Sequence, residues 1–81
     1  MDSDPIHLTR CDPALNMARF YRLELAGDLF GGVQLLRQWG RLGSAGRIGR
    51  TWFASLEAAQ ASRDDWLRRK RARGYREGQK I

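Results

Sequence analysis

Trp39-Gly40-Arg41 stands at the end of an apolar-rich run, Val33-Gln34-Leu35-Leu36-Arg37-Gln38, and just before a glycine-punctuated turn. In an extended strand alternate side chains share a face, so Arg37, Trp39 and Arg41 project to one side. A flat π surface between two guanidinium groups suits a sugar, a base, a phosphate or an acidic protein surface. Gly40 leaves the opposite face bare for something to approach the backbone. The same spacing also fits a core tryptophan, because aromatic side chains carry much of a small domain's burial.

Chemistry beyond binding finds little material. His7 and Cys11 lie four residues apart on one strand with no third or fourth ligand in view, so no metal site is expected. Gly43-Ser44-Ala45-Gly46 lacks the Gly-Lys-Ser/Thr ending and helix start of a phosphate loop, and reads as a hairpin turn. No other cofactor motif is found. The one histidine is near the amino terminus, and no nucleophile–base–acid set can be assembled, so the expected activity is binding without catalysis.

These residues are positioned by a simple run of elements. A short strand is expected over residues 6–11, with Asp12-Pro13 turning out of it. A second strand over residues 18–26 sets Ala18, Phe20 and Ala26 on one face and Tyr21, Leu23 and Leu25 on the other. Gly27-Asp28 and Gly31-Gly32 bracket a turn in which Leu29-Phe30 fold back as a local plug. Strands follow over Val33–Arg41 and Arg47–Phe53, joined through residues 42–46. Ser55 caps a helix running to about Arg73, with Glu57 in its favourable first turn and Gly74 ending it. Leu56, Ala59, Ser62, Trp66 and Leu67 can face the sheet, and Asp64–Arg68 and Asp65–Arg69 are i,i+4 pairs. The expected fold is α+β, an antiparallel meander sheet of four or so strands with one long C-terminal helix packed on one face. Trp52 or Phe53, together with Trp66, should fill the sheet–helix interface. Residues 6–76 form the domain, and residues 1–5 and 77–81 are flexible tails.

Charge is divided unevenly along the 81 residues. Residues 1–40 hold Arg10, Arg19, Arg22 and Arg37 against Asp2, Asp4, Asp12, Glu24 and Asp28, a net of −1. Residues 41–81 hold eleven Arg or Lys against Glu57, Asp64, Asp65 and Glu77, a net of +7. A basic half and a pI near 10.7 fit a polyanion binder, though cations near a helix C-terminus also have a structural reason. No apolar run approaches the roughly 18 residues of a membrane span. The polar amino terminus is unlike a secretory signal, and the lone Cys11 excludes an internal disulfide, so a reduced cytoplasmic setting is expected.

Four stretches taken together resemble the WGR domain family. They are Leu8-x-Arg10-x-Asp12-Pro13-x-x-Asn16-Met17-x-Arg19-Phe20-Tyr21, Asp28-Leu29-Phe30-Gly31-Gly32, Arg37-Gln38-Trp39-Gly40-Arg41-Leu42-Gly43 and Arg73-Gly74-Tyr75. The resemblance runs from about Leu8 to Tyr75. It is to the module beside the catalytic region of DNA-break-activated poly(ADP-ribose) polymerases, and to short free-standing bacterial proteins. In those polymerases the tryptophan packs on the terminal sugar of a broken strand, and an asparagine-rich stretch touches the DNA backbone. The resemblance therefore implies Trp39 as a stacking platform, Arg41 as a contact to phosphate or a partner protein, and Asn16 and Arg19 as backbone contacts. It implies a packing role for Tyr75. Arg37, Arg47, Arg50, Arg68 and Arg71 join the expected interface on charge. The expected ligand is nucleic acid, DNA favoured, bound at ends or single-strand to duplex junctions with little sequence preference. An acidic protein partner is the alternative.

Overall fold

Alternation in the strands sets the architecture. In the computed structural model, which describes residues 5–28 and 30–77, strand β1 spans Ile6–Asp12 and β2 spans Met17–Gly27. They are joined by a 3₁₀ turn, Pro13–Leu15. β3 spans Val33–Arg41, β4 Arg47–Phe53, helix α1 Leu56–Ala72 and β5 Arg76–Glu77. The strands form one antiparallel sheet in the order β4-β3-β2-β1-β5. This is the α+β meander with a single helix, enlarged by β5, which the sequence pattern did not indicate.

Leu8, Tyr21, Leu23, Leu25, Val33 and Leu35 are buried on one sheet face, and Ala59 and Leu67 descend onto them from α1. Burying each such large apolar side chain stabilises the fold by about 1.5–3 kcal/mol. Phe53, Leu56 and Trp66 pack at the margin of this core. Trp52 does not, because Phe53 pairs with Val33 on the helix-facing side and its neighbour must point away. Trp52 is 57% exposed. Phe30 is no plug either, being 92% exposed, and Leu29 lies outside the described residues. So do residues 1–4 and 78–81 of the expected tails, whereas Glu77 belongs to β5.

The helix is closed at both ends by its own sequence. Ser55 Oγ accepts a hydrogen bond from the Ala58 amide at 3.1 Å, leaving one fewer orphan donor in the first turn. At the other end Gly74, with φ +96°, donates to the Arg71 carbonyl, and the Tyr75 amide donates to the Lys70 carbonyl. This paired arrangement satisfies two orphan carbonyls and reverses the chain. It lays Tyr75 on the core, 8% exposed, and feeds β5 into its pairing with β1. The expected Asp65–Arg69 ion pair forms at 2.9 Å, but Arg68 also pairs with Asp65, and Asp64 takes Arg63 instead. Among the described residues no helix is long and apolar enough to cross a membrane.

Candidate nucleic-acid interface

β3 carries the helix-facing side of the sheet past the end of the core. Val33 and Leu35 are buried; Arg37, Trp39 and Arg41 continue the same face toward solvent. Trp39 sits opposite Tyr21 on β2 and Arg47 on β4. Its indole is half-buried, 6.1 Å from the Tyr21 ring. Gly49 gives the room: a Cβ there would lie 3.1 Å from Arg37 and 3.3 Å from Trp39, so both side chains fold over bare backbone.

Arg37 is held inside the structure. Its guanidinium is 5.0 Å from the Trp39 ring centroid and 4.2 Å from that of Trp66, and it donates to the Tyr21 hydroxyl at 3.2 Å. Its Nε is buried without a hydrogen-bond partner. A cation clamped between two indoles and a phenol fixes those rings relative to one another. It is not presented to solvent in the manner of Arg41.

Three arginines line up across the sheet just beyond Trp39. Arg10 on β1 pairs with Arg19 on β2, and Arg19 pairs with Arg41 on β3. All three lie on the helix-facing side, on strands about 4.8 Å apart. Like charges directly opposite one another are destabilising, and none of the three has an ion-pair partner among the described residues. The C-terminal turn of α1 adds Lys70. Its ammonium is 4.6 Å from the Tyr21 ring and 5.4 Å from the Tyr75 ring. Burial holds the Lys70 pKa below its ordinary value, and the neighbouring charges of Arg73, Arg37 and Arg19 lower it further. Arg19, Trp39, Gly40, Arg41, Lys70 and Tyr75 together line a groove of about 480 Å³. Burial raises the Tyr21 pKa beneath this groove, an effect that the Arg37 bond and charge oppose.

Among the residues expected from sequence, the fold thus brings together Trp39, Arg41, Arg19 and Arg47. Asn16 is exposed at the tip of the β1–β2 turn, at the same end of the sheet and in a left-handed conformation. Arg50 pairs with Leu36 and points from the other face. Arg68 and Arg71 are on the outer side of α1, ion-paired with Asp65 and Glu77. Arg10 was missed, and within the basic run 68–73 the sequence had singled out Arg68 and Arg71 rather than Lys70. The hairpin register that sets Arg10 beside Arg19 and the cap that turns Tyr75 back were the available signals. Gly40 also has a different reason from the expected one. A Cβ there would lie 2.7 Å from the Gly46 Cα, so the close approach is made by the chain's own β3–β4 turn.

A protein of Sinorhizobium fredii (strain NBRC 101917 / NGR234), described as uncharacterized protein y4dW, is 44% identical over 71 residues. The match covers 88% of this chain and 35% of the relative, so the chain spans about a third of that protein's length. No solved structure matches. The family model of the WGR domain matches residues 4–81, nearly the whole chain, and the chain belongs to that family.

Proposed function

We propose that this chain is a non-catalytic nucleic-acid-binding module that holds a DNA backbone on its arginine row and packs Trp39 against the exposed sugar of a strand end. The row Arg10–Arg19–Arg41 carries this reading. Three aligned cations with no ion-pair partner among the described residues repel one another, and a polyanion laid across them relieves that repulsion. The groove beside them supplies aromatic surface at the half-buried Trp39 for a sugar or base, and nothing in it resembles a base-reading helix, so little sequence preference is expected.

The test is competition between a linear duplex and its covalently closed counterpart at two salt concentrations. With about 4–6 phosphates neutralised, the log–log salt slope should be near −4 to −5. Arg19→Ala and Arg41→Ala should each flatten it by about 0.9, whereas Arg68→Ala and Arg71→Ala, already paired to carboxylates, should flatten it less. The linear form should win by roughly five- to hundredfold, and Trp39→Ala should remove most of that margin. An acidic protein surface is the competing ligand for the same cations. Equal competition unaffected by Trp39→Ala would remove end recognition and leave generic polyanion affinity or that alternative, and a salt-insensitive affinity would contradict the charge argument.

A further inference from the structure

Helix α1 covers one face of the sheet. The other face carries Phe20, Leu36, Ile48, Arg50 and Trp52, bounded at one end by the β3–β4 turn and at the other by the Asp28–Gly32 loop. Between these two loops no described element covers it. Ile48 and Trp52 are each 57% exposed, and Phe30 in the loop is 92% exposed. Single exposed apolar residues need no explanation, but this indole is fixed in place. Trp52 Nε1 donates to Asp28 Oδ2 at 2.7 Å, and the ring lies against Gly32, where a Cβ would be only 2.2 Å from Nε1. Asp28 Oδ1 accepts from the amides of Phe30 and Gly32 at 2.8 and 2.9 Å. One carboxylate thus orients both the indole and the backbone of the loop that carries Phe30.

The charge between the apolar groups selects the ligand. Ile48, Arg50 and Trp52 alternate along β4 on one face, so Arg50 is about 7 Å from each neighbour. Glu24 is taken by Arg22 at 2.8 Å, Asp28 is committed to the indole and two amides, and Arg50 has no ion-pair partner among the described residues. An apolar protein partner would bury Arg50 unpaired at the centre of the contact, which is strongly unfavourable. A single nucleic-acid strand would bring a phosphate to it and offer a base to the neighbouring Trp52 ring.

We propose that this open face is a second nucleic-acid surface, a stacking platform for unpaired bases. Trp52 and Phe30 stack on bases, Arg50, on the Ile48 side of Trp52, meets an adjacent phosphate, and Ile48 and Phe20 pack on sugars. β4 is the sheet edge and carries Arg47 on the Trp39 side and Arg50 and Trp52 on the other. A strand leaving a duplex end in the first groove, on the reading proposed above, can therefore cross that edge onto the platform.

Anisotropy titrations with oligo(dT), oligo(rU) and a blunt duplex test the proposal, using Trp52→Ala, Trp52→Phe and Arg50→Ala. Trp52→Ala should weaken binding of at least one single strand roughly five- to hundredfold, with Trp52→Phe losing less because it keeps a ring. Arg50→Ala should flatten the single-strand salt slope by about 0.7. None should change blunt-duplex affinity, and the two oligonucleotides tell DNA from RNA. If Trp52→Ala, shown folded by circular dichroism, leaves both single strands unaffected, the platform is refuted. Equal losses on single strand and duplex refute it too. Self-association in sedimentation that Trp52→Ala abolishes, with no single-strand binding, would make this a protein contact and refute the platform. An inert Arg41→Ala on duplex would count against the first groove alone.

Discussion

Arg37→Ala should unfold this domain more readily without acting first on its ligand. The substitution removes a guanidinium 4.2 Å from Trp66 and 5.0 Å from Trp39, and the hydrogen bond it donates to Tyr21. Desolvated cation–π contacts contribute from about 0.5 to 2 kcal/mol each, and a net hydrogen bond about 0.5–1.5 kcal/mol. Against this stands the buried, unpartnered Nε, whose desolvation the substitution relieves, and the repulsion that Arg37 exerts on Lys70. The balance is a loss of about 2–4 kcal/mol, a large part of the roughly 4–12 kcal/mol expected of a domain this size. It corresponds to a fall in melting temperature of about 8–30 °C. Arg37→Lys keeps the charge but not the planar stacking group and should fall between wild type and Arg37→Ala. Urea unfolding followed by tryptophan fluorescence gives the free energies, and duplex affinity is measured well below the melting point of each variant. A loss under 0.5 kcal/mol accompanied by a tenfold drop in DNA affinity would show Arg37 acting as an open contact and would refute the clamp.

Two further outcomes follow from local geometry. Gly46→Ala places a Cβ 2.2 Å from the Trp39 carbonyl oxygen at φ +69°, whereas at Gly43, with φ +90°, a Cβ meets nothing within 4 Å. Gly43→Ala should cost about 1–2 kcal/mol for the left-handed backbone alone, and Gly46→Ala about 1–3 kcal/mol more; equal losses in denaturant unfolding would contradict the close packing of this turn. Asp28 should titrate below its ordinary 3.8, chiefly because the Phe30 amide donates to its carboxylate, with Gly32 and Trp52 adding to the effect against some desolvation. Because the folded pKa is the depressed one, the contribution of Asp28 is complete above the unfolded value and lost as pH falls through the folded one. The Trp52 indole N–H resonance should shift over that acidic range and not in Asp28→Ala; an unperturbed resonance would show that the carboxylate does not hold the ring.

Much of this fold was legible because local signals agreed. Glycine punctuation and alternation placed Val33–Arg41 and Arg47–Phe53, and a serine cap and a terminal glycine bounded the helix. What stayed hidden depends on register. β5 has two residues and no apolar alternation, and exists because the Gly74 reversal delivers it to the β1 edge. Parity separates Trp52 from Phe53, but only the pairing of Phe53 with Val33 says which of them meets the helix. The arginine row was legible only in part: Arg19 and Arg41 were expected at the interface, but their alignment with Arg10 depends on the registers of two strand pairs. Pairing of Arg68 with Asp65 rather than Asp64 is a choice between i,i+3 and i,i+4 partners that spacing leaves open.

The alternation of β3 gives each residue of its closing tripeptide a separate task. Odd-numbered positions run from the buried Val33 and Leu35 through the clamped Arg37 to the half-buried Trp39 and the exposed Arg41. One face therefore grades from core to groove, and an indole at the boundary can be fixed from beneath while keeping surface above. Even-numbered positions belong to the open face, where Gly40 must be small because Gly46 crosses it. That crossing closes the β3–β4 turn tightly enough to return Arg47 opposite Trp39. A side chain at Gly40 would push the turn outward and carry Arg47 with it, so the glycine holds Arg47 beside Trp39 from the opposite face of the sheet.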